Sequence, residues 1–290
     1  MTLAEGTVQA NGLTFSYLEA GSGPLALCLH GFPDSAWGWR HLLPALADAG
    51  YRAVAPFMRG YAPTEVPADG RYQTGVLGLD ACELHAALGG DGDAVLIGHD
   101  WGAFAAYTAA AWKPELWRRV VTAAVPPPPS IAQGFLSYEQ LQRSWYMFFF
   151  QHPLSDIVVP MDDLAFVDGL WADWSPGHDG AEDVAHVKDA LRDPANLAAA
   201  LGYYRATLGD GLKDPALDDV QNAGNTPTPQ PTLYIHGADD GCIGSEVMAN
   251  AADFLPHPAS RIEIVEGAGH FMQVERPDHV NRLVVDFLAE

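Results

Sequence analysis

The chain has 290 residues, of which 48% are hydrophobic and 18% are charged, so it can bury a substantial core and is globular rather than disordered. Its 37 acidic residues against 15 Lys and Arg residues give a formal net charge of -22. This charge disfavours nucleic acid and anionic membrane surfaces as partners, because both repel an acidic protein.

Short apolar runs alternate with helical patterns over much of the chain. Strands are predicted at 13–19, 25–29, 51–55, 94–97, 120–125, 232–236 and 261–265. Helices are predicted at 37–49, 74–88 and 103–112, and from Pro277 to the C-terminus. This alternation predicts an α/β fold with a mostly parallel central sheet and helices on both faces.

Two proline-rich segments interrupt this alternation. We interpret the prolines at 126–129 as a boundary, because proline neither continues a strand nor starts an ordinary helix, and residues 222–231 as an extended linker. The chain between them is helical and aromatic, and Asp193-Pro194 predicts a helix start that leads to about Leu208. The sequence thus predicts a core domain of residues 1–126 and 231–290 with a helical insertion at 127–230, including its linkers.

Cysteine spacing and the N-terminal segment indicate the compartment. Cys28, Cys82 and Cys242 are far apart without a CxxC pair, so reduced thiols are expected rather than a disulfide framework or a zinc site. The N-terminal segment lacks the features of a secretory signal, and no uncharged apolar run reaches transmembrane length. We expect a soluble, cytoplasmic protein without a membrane partner, and the sequence leaves its oligomeric state open.

The segment Gly98-His-Asp-Trp-Gly102 lies between a predicted buried strand and a predicted helix. Its two glycines permit a tight strand-to-helix turn that projects the central residue, Asp100, above the carboxyl end of the sheet as a nucleophile. An aspartate that caps the following helix is the alternative interpretation.

Two later loops favour the catalytic interpretation. His270 ends the sequence Glu266-Gly-Ala-Gly-His after one predicted strand, and Asp239 and Asp240 follow the strand before it. The order nucleophile, acid, histidine is that of the α/β-hydrolase triad, and the ends of parallel strands are where open α/β sheets place their sites.

A third loop supplies hydrogen-bond donors. His30-Gly-Phe-Pro33 directly follows a buried strand, and its turn can aim the backbone N–H of Phe32 at the same site. With the N–H of Trp101 it forms a candidate oxyanion hole, whereas an ordinary Gly-Pro turn is the alternative.

The chain resembles the α/β-hydrolase superfamily over nearly its whole length. The segments that carry the resemblance are HGFPDSAWGWR, RGY, GHDWGA, GADD and GAGH. Within this superfamily, the chain resembles the epoxide hydrolases and their dehalogenase relatives. The resemblance implies that the insertion is a cap and that Asp240, three residues after a glycine, is the orienting acid. It also implies that two cap tyrosines activate the epoxide oxygen, and the matching segments select Tyr146 and Tyr204. Packing of both tyrosines within an aromatic cap is the alternative.

An aspartate nucleophile selects the kind of bond that is attacked. A carboxylate that attacks an sp³ carbon forms an ester, which water can hydrolyse, whereas a serine would form a persistent ether. We expect His270 to activate that water as general base, and Asp240 to orient the imidazole and support its positive charge. The expected substrate is a small apolar or aromatic epoxide that contacts Phe32, Trp101, Trp145 and Phe149, and no metal or cofactor is expected.

Other functions fit the same framework less well. Haloalkane dehalogenases pair the tryptophan beside the nucleophile with a polar side chain, where this chain has Phe32. Haloacetate dehalogenases require arginines near the nucleophile, where this chain has Trp101 and Phe104. A non-catalytic ligand receptor of the same fold does not need Asp100, Asp240 and His270 together. We therefore predict an epoxide hydrolase that forms vicinal diols.

Overall fold

The structure, a computed structural model, describes residues 2–290, so Met1, at the start of the predicted core domain, lies outside the described residues. A single sheet of eight strands forms the centre. The strands are β1 (Ala4–Ala10), β2 (Leu13–Gly21), β3 (Leu25–Leu29), β4 (Arg52–Pro56), β5 (Val95–His99), β6 (Arg119–Ala123), β7 (Thr232–Gly237) and β8 (Arg261–Val265).

The strand order across the sheet is β1-β2-β4-β3-β5-β6-β7-β8. β2 is antiparallel to β1 and β4, and the remaining pairs are parallel, so the predicted mostly parallel α/β sheet is confirmed. β3 lies between β4 and β5, and its residues are at most 4% exposed. Its continuous run of apolar residues is the pattern of a strand that is buried on both faces.

Helices cover both faces of the sheet and fill the connection between β6 and β7. They are α1 (Leu42–Asp48), α2 (Thr74–Ala87), α3 (Trp101–Trp112), α4 (Pro128–Gly134), α5 (Tyr138–Arg143), α6 (Trp145–Phe149), α7 (Ser155–Val158), α8 (Met161–Trp174), α9 (Ala181–Leu191), α10 (Pro194–Leu208), α11 (Asp218–Ala223), α12 (Met272–Glu275) and α13 (Pro277–Ala289). α2 packs against α3, and α1 packs against α13. Within residues 2–290, none of the helices has both the length and the apolar character needed to cross a bilayer.

The first strand was not predicted, because the apolar positions of its sequence hold only small residues and it lies at the edge of the sheet. β1 pairs with β2 from Ala4 opposite Glu19 to Ala10 opposite Leu13. Asn11 and Gly12, with φ of 42° and 77°, form the two-residue turn between them. An Asn-Gly pair between two strands is a strong hairpin signal, so the sequence did contain the information.

Two further predictions are corrected. The helix predicted at 37–49 is a short 3₁₀ turn, Ala36–Trp39, followed by α1, because Pro44 lacks the N–H that a continuous helix needs and its ring would clash with the carbonyl four residues earlier. The proline run does start a helix. α4 begins at Pro128, since the first turn of a helix has no intrahelical partner for its N–H groups and tolerates proline.

The insertion between β6 and β7 is hydrogen-bonded to loops at the carboxyl ends of the core strands. The carbonyl of Trp174, at the end of α8, accepts from the N–H of Gly241 at 3.1 Å and from that of His270 at 3.0 Å. On α10, the Tyr203 hydroxyl donates to the carbonyl of Arg59 at 2.9 Å. The insertion therefore lies directly over the edge of the sheet where the sequence places its functional loops.

The close packing of α3 against β3 gives a stability prediction. A Cβ at Gly102 would overlap the backbone carbonyls of Leu29 and His30, so Gly102→Ala is expected to destabilise the protein by about 1–3 kcal/mol. Gly169, an exposed α8 residue with no atom within 4 Å of an added Cβ, is the matched control. Gly169→Ala is expected to stabilise by about 0.5–1 kcal/mol. Urea unfolding followed by circular dichroism measures both, and equal effects would contradict this account.

Candidate active site

β5 and α3 are joined by the single residue Asp100. Its φ of 52° and ψ of -119° are unusual for a residue with a side chain. Gly98 and Gly102 allow this turn, since a Cβ on Gly98 would overlap the carbonyl of Gly102. The turn holds the Asp100 carboxylate, 6% exposed, at the carboxyl end of β5 and beside the end of β3.

Two backbone donors face the Asp100 carboxylate. The N–H of Phe32 donates to Oδ1 at 2.7 Å, and the N–H of Trp101 also bonds the carboxylate. Gly31 brings the two loops together, because a Cβ there would overlap Asp100 and the nitrogen of Trp101. These are the two N–H groups from which the sequence predicts an oxyanion hole.

His270 lies between two carboxylates. Its Nδ1 is 3.0 Å from Oδ2 of Asp240, and its Nε2 is 3.7 Å from Oδ2 of Asp100. The other oxygen of Asp240 accepts from the N–H groups of Cys242 at 2.7 Å and Ile243 at 2.8 Å. Among residues 2–290, nothing hydrogen-bonds to His270 Nε2. This nitrogen is therefore free to accept a proton next to Asp100.

The charges within this group follow from burial and pairing. Burial raises the pKa of Asp100 above its usual value, against the effect of His270 and the two N–H donors. Burial acts on Asp240 in the same way, but the charge of His270 and its hydrogen bond outweigh burial and lower the pKa of Asp240. Burial lowers the pKa of His270, yet Asp240 and Asp100 together raise it above its usual value. The site thus stabilises an imidazolium, which a base becomes after taking a proton.

A cavity of about 430 Å³ opens beside Asp100, within the range typical of small-molecule sites. Tyr146 from α6 and Tyr204 from α10 line it together with Asp100 and Trp101. Leu136 and Leu208 also line it and are 75% and 41% exposed, so the cavity is open to solvent at these residues. The other apolar lining residues include Phe104, Ile131, Phe135, Met147 and Ile243.

The two tyrosines differ in their hydrogen bonding. The Tyr146 hydroxyl is 3.3 Å from Sγ of Cys242. The Tyr204 hydroxyl is buried beside the indole N–H of Trp101, and its own proton has no acceptor in the part of the chain that the structure describes. Burial raises the pKa of both phenols well above the usual value, so both remain protonated at neutral pH. A buried O–H without an acceptor costs about 1–3 kcal/mol, and a substrate oxygen in the cavity would supply that acceptor.

Three residues predicted to contact substrate do not line the cavity. Trp145 is 47% exposed and packs on Phe149, on the face of α6 opposite to Tyr146 and Phe150. Successive residues of a helix are about 100° apart, so only one of the two faces points inward. The ring of Phe32 is fully buried and packs on Phe150 and Tyr204 behind the lining residues. The side chains of Trp145, Phe149 and Phe32 thus lie outside the cavity lining, and their contact with substrate stays a prediction.

A buried polar group behind His270 was not predicted. His99 donates from Nε2 to the carbonyl of His270 at 2.9 Å, while burial lowers the pKa of His99 to about 3 and keeps it neutral. Its Nδ1, 3.8 Å from Oδ2 of Asp34, has no hydrogen-bond partner among residues 2–290. Burial raises the pKa of Asp34 to about 7. A neutral, protonated Asp34 therefore fits this buried site, where Oδ2 accepts from Nε2 of Gln273 at 3.4 Å.

One cluster has the residue types of a metal site. Donor atoms of Asp240, Cys242 and His270 lie within 4.8 Å of one another. The Nδ1 proton of His270 already bonds Asp240, and burial raises the pKa of the Cys242 thiol well above its usual value. These groups are better suited to hydrogen bonding than to metal coordination, which needs a deprotonated thiol and a free imidazole nitrogen.

Known proteins resemble this chain in sequence and in architecture. A family profile described as alpha/beta hydrolase fold matches residues 24–277. An epoxide hydrolase of Caballeronia sordidicola is 30% identical, over 97% of this chain and 92% of that protein. Epoxide hydrolase A of Mycobacterium tuberculosis is 29% identical, over 98% of this chain and 97% of that protein. The crystal structure of epoxide hydrolase A from Mycobacterium thermoresistibile superposes with a TM-score of 0.84 at 28% identity, covering 99% of this chain and 98% of that one.

Asp34 gives a pH-dependent prediction. Its folded pKa of about 7 lies above the usual 3.8, so the folded protein holds a proton that the unfolded chain releases as the pH rises. Asp34 therefore lowers stability progressively between about pH 4 and pH 7. Asp34→Asn keeps a neutral side chain there, and we expect it to gain about 2–4 kcal/mol on the parent between about pH 5 and pH 8.

Urea unfolding at several pH values measures this gain. Asp69→Asn is the control, and it is expected to lower stability rather than raise it. Hydrogen bonds from Arg71 outweigh the partial burial of Asp69 and lower its pKa, so the ionised form is favoured in the folded protein. A stability difference between Asp34→Asn and its parent that stays constant with pH would contradict a protonated Asp34.

Proposed function

The chain belongs to the α/β-hydrolase superfamily and to the epoxide hydrolase family within it, and from this premise we propose that it opens epoxides to vicinal diols through an ester on Asp100. One observation carries the proposal. An aspartate at the nucleophile turn and a buried Tyr204 hydroxyl whose proton has no acceptor among residues 2–290 line the same largely apolar cavity. A carboxylate supplies the nucleophile for an sp³ carbon, and a phenol supplies the proton that an opening epoxide needs.

In the first step, the carboxylate of Asp100 attacks one epoxide carbon. Oδ1 is held by the N–H of Phe32, so Oδ2, on the side of His270, is the attacking atom and becomes the ester oxygen. The carbon–oxygen bond of the ring breaks, and its oxygen takes a proton from Tyr204 or Tyr146. Oδ1 remains as the ester carbonyl, already bonded by the N–H of Phe32.

In the second step, water hydrolyses the ester. The unpaired Nε2 of His270 takes a proton from a water that attacks Cγ of Asp100. The tetrahedral intermediate carries its negative charge on Oδ1, which the N–H of Phe32 already bonds, and the N–H of Trp101 is the second proposed donor. Such a donor is worth about 2.7–4 kcal/mol. Collapse expels the diol as an alkoxide, which takes the second proton of the attacking water as the carboxylate is restored, and the imidazolium returns the first proton to the tyrosinate.

Asp240 supports both protonation states of His270. Its hydrogen bond to Nδ1 fixes the tautomer in which Nε2 is free to accept a proton. Its negative charge then stabilises the imidazolium, and two backbone N–H groups hold the Asp240 carboxylate in place. We assign Asp240, rather than the exposed Asp239, as the orienting acid.

Dehalogenation is the second candidate, and one observation favours it. The indole N–H of Trp101 is buried beside the nucleophile, where its neighbour is the Tyr204 hydroxyl, and in place of that hydroxyl it could donate to a halide. A halide leaves without a proton, however, and the two protonated tyrosines at the cavity have no role in that reaction. We therefore rank epoxide opening first.

We also propose that residues 127–230 act as a cap over the core of residues 1–126 and 231–290. The cap supplies Tyr146 and Tyr204, whereas the core supplies Asp100, Asp240 and His270. A cytoplasmic location remains our proposal, and three free, buried cysteines are consistent with a reducing compartment.

The ester intermediate can be trapped and weighed. His270→Gln lacks the base for the second step, so we expect intact-mass spectrometry after exposure to an epoxide to show an adduct of the whole epoxide mass, located on Asp100. An adduct equal to an alkyl group, formed only with a haloalkane, would establish dehalogenation instead. Asp100→Ala is the control and should form no adduct. Full hydrolase activity in Asp100→Ala would refute the mechanism.

Kinetics can distinguish the role of the tyrosines in ring opening from the role of the nucleophile. Tyr204→Phe is expected to slow ester formation about 100-fold while the hydrolysis of the formed ester keeps its rate, because only ring opening needs the phenol proton. The same variant should be as stable as the parent or more stable, since it removes a buried O–H that has no acceptor among residues 2–290.

Stopped-flow kinetics and thermal unfolding measure the two effects of Tyr204→Phe. Tyr138→Phe, at an exposed cap position, is the matched control and should change neither. If Tyr204→Phe kept the parent's rate of ester formation, Tyr204 would not be the proton donor.

A further inference from the structure

The cavity continues well beyond the reacting carboxylate. Trp101, Phe104 and Thr108 all line it, and their spacing of three and four residues places them on one face of α3. At a rise of 1.5 Å per residue, Thr108 lies about 12 Å along the helix from Asp100. The cavity therefore has a second end, which the reaction does not use.

Three helices meet at this second end. Gly224, which follows α11, packs directly on the hydroxyl of Thr108 in α3. The N–H of Gly75 in α2 donates to Oε1 of Gln221 in α11 at 3.4 Å. The side chains that line the cavity here are polar and uncharged: Thr74, Thr108, Gln221 and Asn225. This contrasts with the apolar walls near Asp100.

The hydrogen bonds of Gln221 fix which of its atoms remains available. Oε1 accepts from the Gly75 N–H and from Nε2 of Gln73 at 3.5 Å, so it is the oxygen and not the nitrogen that faces α2. The Nε2 group of Gln221 is left as a donor, and the hydroxyl of Thr108, a residue 2% exposed, is a second donor. This end of the cavity therefore offers donors to an incoming group.

The charge of that group is constrained as well. No Lys, Arg or His is among the cavity-lining residues of 2–290, whereas Asp100 is one of them and must be ionised to react. A carboxylate on the substrate would meet no cation there and would be repelled by an acidic protein of net charge -22. An uncharged oxygen acceptor avoids both penalties.

We propose that Thr108 and Gln221 form a subsite for a neutral carbonyl oxygen, so that the substrates are epoxides carrying an ester or amide group about 12 Å from the ring. The inference rests on the proposed epoxide hydrolysis and specifies its substrate class. The apolar chain between the two groups lies along Phe104 and the facing residues of the cap.

Three matched substrates test the proposal on the unaltered protein. They are the methyl ester of epoxyundecanoic acid with a terminal epoxide, the free acid, and epoxydodecane, which has a similar length and no acceptor. We expect the value of kcat/KM for the ester to exceed that for the acid about tenfold or more. We expect it to exceed the value for epoxydodecane about 2- to 10-fold, which one hydrogen bond provides.

Two variants test whether a preference for the ester over epoxydodecane arises at the subsite. Thr108→Val removes the hydroxyl at nearly constant shape and should lower the ester-to-epoxydodecane ratio of kcat/KM about 2- to 10-fold. Gln221→Glu keeps an oxygen for Gly75 but replaces the donor by a carboxylate oxygen, so it should lower the ratio further. Thr226→Val, at an exposed position that does not line the cavity, should leave the ratio unchanged.

The outcomes are distinguishable from failure of the proposed function. If no epoxide is turned over, the proposed hydrolysis fails together with this inference. If all three substrates are hydrolysed at similar kcat/KM, or if Thr108→Val leaves the ratio unchanged, the hydrolysis stands and the subsite is refuted. A preference for the free acid would refute a neutral acceptor.

Discussion

The contact between the start of α3 and the end of β3 is the constraint on which the site depends. Gly102 lies against the carbonyls of Leu29 and His30 without room for a side chain, and this contact fixes the left-handed turn at Asp100. Because both loops are held at this distance, the N–H groups of Phe32 and Trp101 face the same carboxylate. The proposed nucleophile and the proposed oxyanion donors are therefore products of one backbone geometry rather than of separately adjusted side chains.

The features that depend on local backbone were predictable from sequence. Aliphatic runs such as Leu25–Leu29 are buried on both faces, and they predicted the parallel sheet. The loops with Asp100, Asp240 and His270 all follow parallel strands, so their meeting at one sheet edge follows from topology. β1 escaped prediction because the apolar positions of its alternating sequence hold only small residues (Ala, Gly and Val), although its Asn-Gly turn was visible.

The features that depend on tertiary packing were not predictable. α6 has aromatic residues on both faces, and the sequence does not say whether Tyr146 or Trp145 points towards the core. Asp34 looks like an ordinary turn residue, and its raised pKa arises only once the fold has buried it beside His99. The lining of the cavity comes from α3, the cap helices and α11, which are distant in sequence.

The backbone carbonyl of Trp174 constrains how small molecules reach the site. The Trp174 oxygen accepts from the backbone of both Gly241 and His270, so the insertion is tied to the two loops that carry Asp240 and His270. A hinge motion that lifted the insertion would break these bonds and displace the imidazole. While these bonds stay intact, a small molecule enters the cavity and leaves it past its exposed lining residues, among them Leu136, Leu208 and Asn225, so the spacing of these side chains limits the bulk of molecule that is admitted.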